Sequence, residues 1–225
     1  TTVARRTVLA AAIGAVAPLG TPAATVTVRG SGVAASDRRE VGAFTGIALG
    51  EPFTVVLRPA AREAVEVSAD DNVVPLVETT VRGSDGQRSL HIELAKDTRI
   101  EPRTKVVVTV DVVRLERVAI GGSGSIDGKA IRAAKLDATI GGSGSIGLVD
   151  LDVDALAVAI GGSGTFRAAG RARKLAIQLA GSGRAEAEGL VAEDVSVAVS
   201  GSGDARVRAE HALSASIAGS GDVYH

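Results

Sequence analysis

The sequence predicts an all-β protein: a right-handed, single-stranded parallel β-helix (a β-solenoid) preceded by an irregular, β-rich N-terminal part. One observation behind this prediction is a Gly-Ser-Gly tripeptide that recurs six times in the second half of the 225-residue chain. Intervals of 18 to 20 residues between the copies indicate stacked repeats of one structural unit. The central serines are Ser123, Ser143, Ser163, Ser182, Ser202 and Ser220.

The second observation is the pattern of aliphatic residues around each tripeptide. Three residues before the serines stand Ile120, Ile140, Ile160, Leu179, Val199 and Ile217. Similar apolar columns occur five residues before and three residues after the serines, and seven residues before the later five serines, with small or polar residues between. This period of two is typical of half-buried strands, so residues 118–225 are predicted to form coils of about 20 residues stacked at ~4.8 Å.

The tripeptides are predicted to form the corners of these coils. Glycine permits a close approach between neighbouring backbones, and a serine hydroxyl in a turn commonly bonds to nearby backbone groups. The six corner serines are therefore expected to have an architectural role. An earlier copy at residues 30–32 echoes the repeat.

Residues 25–117 are less regular but also read as strands, with no linker separating them from the repeats. Alternation and β-branched content predict strands over 25–28, 46–49, 53–57, 64–67, 89–94 and 105–113. Asp70, Asp71 and Asn72 are suited to cap a short helix that runs to about Thr79. Residues 83–86 contain two glycines and are predicted to form a turn.

Residues 1–24 are predicted to be an export signal. Arg5 and Arg6 precede an apolar run over 8–17, and Ala23 or Ala24 supplies a small residue for cleavage. The arginine pair also resembles a twin-arginine signal, and a buried N-terminal helix is the structural alternative. The run is shorter than the ~20 residues that span a bilayer. The mature chain is therefore expected to lack a transmembrane segment and to lie outside the cytoplasm of a bacterium, in the periplasm, at the cell surface or secreted.

Charge and cysteine content exclude several classes of function. The chain has 25 basic and 26 acidic residues, a formal charge of −1, which gives no electrostatic reason to expect nucleic acid as a partner. It has no cysteine, so disulfides, thiolate metal sites and cysteine nucleophiles are impossible.

Several segments together resemble the auto-transporter adhesin head domain, also called the GIN domain. They are the glycines and serine of 30–32, the segments 44–47 and 68–72, and the serial Gly-Ser-Gly units. The resemblance covers residues 25–225. It implies an exported, right-handed β-helical protein without established catalysis, and the family defines no functional residues that could be carried over to this sequence.

Two glycine-rich motifs resemble ligand sites. Residues 142–147 match the GxGxxG pattern of dinucleotide sites, but the same tripeptide recurs at five other places with strand residues after it, which favours a repeat corner. Residues 121–127 resemble a calcium-binding β-roll repeat, whose period is nine rather than about 20. Asp204 and Asp222 follow their tripeptides in adjacent coils and are candidate ligands of a hard cation. No cofactor is expected.

Acidic residues provide the only suggestion of catalysis. Asp150, Asp152 and Asp154 alternate and are expected to share one face, as the paired carboxylates of β-helical lyases or glycosidases do. A basic cluster follows: Arg167, Arg171, Arg173 and Lys174. Simple balance of surface charge is the favoured interpretation of it, and pairing with these acids is the alternative. The three histidines, His91, His211 and His225, are too scattered to predict a zinc site.

The preferred hypothesis is an exported, non-enzymatic binding or structural module, adhesive in character, whose partner is a cell-surface glycan or protein. The alternative is a carbohydrate-active enzyme that uses Asp150, Asp152 or Asp154. A third hypothesis is self-association through the C-terminal edge, because an unpaired strand edge templates association.

Overall fold

The computed structural model describes residues 25–84 and 86–225, so the predicted export signal at 1–24 lies outside the described residues. The described chain is built almost wholly of β-strands around one aliphatic interior. In chain order they are β1 (Val26–Arg29), β2 (Ala34–Arg39), β3 (Gly46–Leu49), β4 (Thr54–Pro59), β5 (Ala64–Asp70), β6 (Val77–Arg82), β7 (Ser89–Leu94), β8 (Thr98–Glu101), β9 (Val107–Val112), β10 (Arg117–Ile120), β11 (Ser125–Lys129), β12 (Arg132–Ile140), β13 (Ser145–Ile160), β14 (Thr165–Leu179), β15 (Arg184–Val199), β16 (Asp204–Ile217) and β17 (Val223–Tyr224).

Each coil contributes one strand segment before its corner and one after it, and from β10 onward that corner is a Gly-Ser-Gly tripeptide. Segments that precede a corner stack in parallel in the order β7, β3, β10, β12, β13, β14, β15 and β16; we name this the pre-corner sheet. Segments that follow a corner stack in the order β9, β4, β11, β13, β14, β15, β16 and β17; we name this the post-corner sheet. The predicted β-solenoid is confirmed.

The aliphatic columns predicted from the repeats fill the space between the two sheets. Ile140, Ile160 and Leu179 are at most 2 % exposed, and the side chain of Phe166 is fully buried. Residues equivalent by one repeat lie opposite each other in the register, as Leu156 does to Leu175. Among the described residues, the exceptions lie in the coil of β16, where the equivalent Leu213 and Ile217 are exposed.

Glycine is required at the corners because successive coils approach closely there. A Cβ on Gly144 would lie 2.6 Å from the carbonyl oxygen of Gly124 and 2.6 Å from a methyl group of Ile120. Real Cβ atoms do not approach other atoms so closely, and the same crowding recurs at the other corners. The corner backbone is also bonded between coils, since the amide of Ser163 donates to the carbonyl oxygen of Gly142 at 3.1 Å.

A second bend divides each coil between its post-corner and pre-corner segments. In three successive coils the residue at or beside this bend is left-handed: Ala130 has φ 58°, Asp150 has φ 54° and Gly170 has φ 136°. The pairing of β13 with β14 is irregular at the same place, between Leu148 and Leu151. The bend turns the chain from one sheet to the other, at a conformational cost for the two non-glycine residues.

The coil that comes first in the sequence, formed by β3 and β4, does not lie at the end of the stack. The strand pair β3 and β4 lies between the strands of 89–112 on one side and those of 117–129 on the other. Beyond β9 the antiparallel strands β5 and β2 close one sheet, and antiparallel β6 closes the other beyond β7. Residues 60–112 therefore fold back to cap the N-terminal end.

The N-terminal part contains two departures from the sequence predictions. The helix expected to run to Thr79 is wrong: one 3-10 turn, Val74–Leu76, is followed at once by strand β6, because Val77 and Val81 pack on the core. Residues 30–32 are also not a coil corner, since they lie beside β5 and contact its C-terminal end. Strands β2, β6 and β8 were not predicted, whereas β7 has the predicted bounds.

Candidate binding surface

The outer surface of the pre-corner sheet is unusually smooth. On the five strands β12 to β16 most of its outward side chains are small or uncharged, and we name this set the small-residue face: Thr139, Ala155, Ala157, Ala159, Ala176, Gln178, Ser196, Ala198, Ser214 and Ser216. The charged Asp137 of β12 adjoins it. Alternation over the residues that lead to each corner places these side chains outward while the aliphatic columns face the core. One extra outward residue precedes the leucine column, at 154/155 on β13, 173/174 on β14 and 193/194 on β15. Such a face offers peptide backbone and small groups to a partner over a wide area.

Two shallow grooves lie on this face. One, of about 490 Å³, is lined by Ala155, Ala176 and Ser196, with Lys135, Lys174 and Asp194 along one side. The other, of about 410 Å³, adjoins it around Ala157 and Gln178. Both are open to solvent, so the geometry suits a flat or extended partner rather than an enclosed small molecule.

The outer surface of the post-corner sheet has the opposite character, since it is charged and internally paired. One outward column runs Asp127, Gly147, Arg167, Glu186 and Arg206 through successive coils. Arg167 Nε donates to Glu186 Oε2 at 2.7 Å, and the guanidinium of Arg206 lies 5.6 Å from the ring centre of Tyr224. Because Arg167 pairs with Glu186 and Arg206 stacks on Tyr224, these groups are less available to a partner than the small-residue face.

The three aspartates proposed as catalytic do not form one row. Asp150 lies in the left-handed bend and its carboxylate is 3.5 Å from Lys129 Nζ, so the expectation that all three share one face is wrong. Asp152 and Asp154 do alternate outward on β13. The register places Arg171 opposite Asp152, and Arg173 Nη1 lies 3.8 Å from Asp154 Oδ1.

The residues of the basic cluster thus lie beside acidic residues of the preceding and following coils. Arg173 also lies 4.0 Å from Glu193 in the following coil, so it sits between two carboxylates. Lys174 stands opposite Ala155 on one side and Asp194 on the other. Opposite charges at facing positions stabilise a parallel register, which is what this alternation of acidic and basic coils provides.

The six corner serines form a column along one edge of the solenoid. Their side chains are exposed, and within residues 25–84 and 86–225 none of their hydroxyls bonds to a protein group. The backbone carries the contact instead, as when the amide of Ser202 donates to Gly181 O at 3.1 Å. The hydroxyl bond expected from the sequence is therefore wrong.

Asp204 and Asp222, the candidate cation ligands, lie in adjacent coils near the C-terminal end. Asp204 Oδ1 accepts a hydrogen bond from the amide of Asp222 at 3.2 Å, and Tyr224 Oη donates to Asp222 Oδ2 at 3.3 Å. In the described part of the chain, no three acidic, histidine or cysteine side chains converge. The histidines are spread as well: His91 is next to Glu93, and His225 is next to Ala209.

The most deeply buried charge belongs to Asp70, whose side chain is inaccessible to solvent. Burial raises the pKa of Asp70, but hydrogen bonds from the backbone amides of Arg103, Thr104 and Gly32 outweigh it and hold this pKa below its ordinary value. Asn72 Oδ1 adds one more link by accepting a hydrogen bond from the amide of Ser31 at 2.9 Å. The 68–72 segment thus binds three segments of chain together and has a structural role.

The small-residue face was not predicted from the sequence. The residues between the aliphatic columns served there only to indicate alternation. The signal was present in the same alignment: outward positions of the later repeats are mostly alanine, serine or threonine, whereas those just after the corners become charged. Aligning the outward columns separately distinguishes the two faces.

In the part of the chain that the structure describes, no helix has the length and apolar content needed to cross a membrane. No curated protein matches the sequence. Three solved structures are similar in fold: a putative adhesin from Bacteroides fragilis (TM-score 0.75, 19 % identity), a putative lipid binding protein from Parabacteroides distasonis (0.67, 18 %) and a putative adhesin from the same species (0.60, 21 %). Each likeness covers 88 % of this chain and 99 % of the other.

These likenesses show a shared β-solenoid architecture. The family is assigned from the sequence, because a family model described as "Putative auto-transporter adhesin, head GIN domain" matches residues 43–225. That match includes every Gly-Ser-Gly corner and both sheets of the solenoid. The chain belongs to this GIN domain family.

Proposed function

We propose that this chain is an exported, non-enzymatic binding or structural module of the bacterial cell surface or periplasm, and that it acts in adhesion. The observation that carries the proposal is the small-residue face, a broad and open surface next to a charged surface that is already paired. Contact would be shallow and extended, through backbone groups, hydroxyls and the alkyl parts of small side chains. Such contact suits a partner with a repeating or flat surface.

A glycan or a protein at a cell surface is the partner class that this geometry supports. The adhesin description of the family and of similar structures favours the same class. One similar structure is described as a lipid binding protein, which makes a lipid array a useful second arm of the test. The formal charge of −1 argues against nucleic acid.

The test is binding of the purified chain to glycan, protein and lipid arrays, with two matched variants. Ala176→Glu puts a charge into the larger groove, and Ala180→Glu puts the same charge on an exposed alanine of the same coil outside it. Binding lost in Ala176→Glu and kept in Ala180→Glu supports the proposal. A ligand that binds both variants equally well would show that the small-residue face is not the binding surface.

The alternative function is a carbohydrate-active enzyme. It rests on a cleft of about 300 Å³ whose lining includes Asp152, Asp154, Glu193 and Glu210. Against it, Arg171 and Arg173 line the same cleft, and Arg173 lies 3.8 Å from Asp154 and 4.0 Å from Glu193, so two of its carboxylates are already paired with a cation. A reducing-sugar assay on the polysaccharides bound in the arrays decides this: turnover abolished by Asp152→Ala would establish the enzyme and overturn the preferred function.

Self-association is a third candidate, and one observation favours it. At the C-terminal end of the solenoid Leu213 is 38 % and Ile217 is 47 % exposed, although the same columns are buried in every earlier repeat coil. Contact between copies would cover these side chains. This candidate is independent of the small-residue face and is compatible with binding there.

A further inference from the structure

We propose that the outer surface of the post-corner sheet carries a second binding site, a groove over Gly147 that takes a basic, extended segment of a partner protein. A lysine or arginine side chain of that segment lies in the notch above Gly147, with its charge against Asp127 and its aliphatic stem on Val149. The groove and the small-residue face lie on different sheets of the solenoid. The inference therefore goes beyond the proposed function and does not depend on it.

The groove has the dimensions of a peptide site. Its volume is about 600 Å³, it is open to solvent, and it crosses β4, β11, β13, β14 and β15. Successive strands stack at ~4.8 Å, so it is roughly 19 Å long, which matches about six residues of extended chain. Strands β9 and β16 continue the sheet on either side of it. The groove is thus a feature of the middle of the stack.

Gly147 makes the notch because it interrupts a column of longer side chains. Its neighbours in that outward column are Asp127 in the preceding coil and Arg167 in the following one. The carboxylate of Asp127 leans over the gap, since a Cβ on Gly147 would lie 2.8 Å from Asp127 Oδ1. A side chain that enters the notch therefore meets a carboxylate oxygen at its mouth.

The cationic groups that line the groove are already paired. Arg167 Nε lies 2.7 Å from Glu186 Oε2. Lys129 Nζ lies 3.5 Å from a carboxylate oxygen of Asp150. An anionic partner would have to compete with these two carboxylates for the cations, so the groove is poorly suited to an acidic segment.

Two carboxylates in the groove lie outside that pairing. Asp127 and Glu188 both line it, and among the described residues neither side chain takes part in a hydrogen bond or an ion pair. Their charges are therefore available to a cation from a partner, and charge complementarity favours a basic one.

The floor of the groove distinguishes an organic cation from a metal ion. Val149 is 48 % exposed there, with Val56 and Ala169 beside it in the lining. A lysine or arginine stem covers such apolar surface while its charged head stays at a carboxylate. A metal ion would need several oxygen ligands, and within residues 25–84 and 86–225 no three acidic or histidine side chains converge.

Titration of the purified chain with a capped hexapeptide of alternating lysine and serine, followed by amide NMR, tests the site. We expect shifts at the amides of 127–129, 147–149 and 167–169 and a dissociation constant in the millimolar range. The same peptide with its lysines acetylated keeps the stems and loses the charge, so it should bind at least fivefold more weakly. A peptide with glutamate in place of lysine should leave these amides unchanged.

The variant Gly147→Val fills the notch and is expected to keep the fold. Gly147 lies on β13 outside the left-handed region, where a β-branched side chain is favourable, and its Cβ would crowd only the exposed carboxyl group of Asp127. It should weaken binding of the lysine peptide at least tenfold. Ala198→Val, which places the same side chain on the small-residue face, is the matched control and should leave the affinity unchanged.

Charge is tested by Asp127→Asn, which should weaken binding about two- to fivefold, the effect of one exposed ion pair. Glu78→Gln removes the same charge from an exposed position on β6 and should have no effect. Equal binding of the lysine and acetylated peptides, equal binding to the parent and Gly147→Val, or preference for the glutamate peptide would each overturn the proposal. None of these results bears on array binding by Ala176→Glu, so the two proposals fail separately.

Discussion

A Cβ on Gly144 would lie 2.6 Å from the carbonyl oxygen of Gly124, the equivalent residue in the preceding coil. Gly144→Ala must therefore push two coils apart or displace the buried Ile120, and overpacking of this kind costs about 1–3 kcal/mol. Ser143→Ala, one residue earlier, removes an exposed hydroxyl and should stay within about 0.5 kcal/mol of the parent. Urea unfolding of both variants measures the difference. Equal stabilities would refute the steric role of the corner glycine.

Leu175 and Leu213 occupy the same column, but they differ in what lies above them. Leu175 is 1 % exposed and Leu213 is 38 % exposed. Leu175→Ala is expected to cost about 2–5 kcal/mol, since it leaves a cavity between coils. Leu213→Ala should cost less than half as much. Unfolding at a low protein concentration, where any dimer has dissociated, gives both values, and a large loss in Leu213→Ala would mean that the last coil is covered.

Ala130 adopts a left-handed conformation, with φ 58°, at the bend between the sheets. This conformation costs a non-glycine residue roughly 1–2 kcal/mol, so Ala130→Gly should raise the unfolding free energy by up to about 1 kcal/mol after the greater freedom of the unfolded chain is subtracted. Ala133→Gly, on strand β12, should instead lower it by about 0.5–1 kcal/mol. Thermal unfolding of the pair tests the sign, and destabilisation by both would contradict the left-handed bend.

Asp70 should make the fold sensitive to acid. Its pKa in the folded chain lies below the ordinary value of 3.8, so the unfolded chain takes up the proton more readily than the folded chain. The contribution of Asp70 is then complete above about pH 5 and is lost as the pH falls through the folded pKa. Urea unfolding across this range should show a steep acid loss.

The variant Asp70→Asn isolates that contribution. It should be less stable than the parent at neutral pH and should show a flatter decline in acid, because the group that titrates is gone and an amide cannot accept all three backbone bonds. Asp152→Asn, at an exposed position, is the control and should keep the parent's acid profile. A parent-like decline in Asp70→Asn would assign the acid sensitivity to other carboxylates.

The Arg167 and Glu186 pair should stabilise the register only slightly. The two atoms are 2.7 Å apart, but the arginine side chain is 59 % exposed. Exposed pairs are worth about 0.2–1 kcal/mol, and salt screens them. A double-mutant cycle with Arg167→Ala and Glu186→Ala should give a coupling energy in that range that falls at high salt. A coupling above about 2 kcal/mol would indicate a far less solvated pair.

The repeat half of the fold could be predicted because one short pattern recurs and each copy repeats the same physics. Ile140 and Ile160 identify the inner face by their spacing alone, and the glycines identify the corners. The N-terminal half offers no such redundancy. The strands within 46–59 lie between later segments of the chain. This order depends on long-range packing, and no local sequence pattern indicates it.

The site was less predictable than the fold for a similar reason. Alternation indicated that Asp152 and Asp154 point outward, but the left-handed turn at Asp150 breaks the row and no residue type signals it. The sequence does not distinguish the 3-10 turn at Val74 from a helix, because Asp70, Asp71 and Asn72 suit a helix start equally well. Here Asp70 bonds instead to amides about 30 residues away along the chain, at Arg103 and Thr104.

The position of the β3 and β4 coil sets an order of assembly. Its partners in the next coil are distant, since Thr54 and Ser125 are 71 residues apart in sequence, whereas each later coil is laid on one about 20 residues before it. Closing a long loop before any contact is gained slows folding, and short closures are faster. Formation of the region around the first Gly-Ser-Gly corner is thus expected to be the slow step, with the later coils adding to it in the order of the chain.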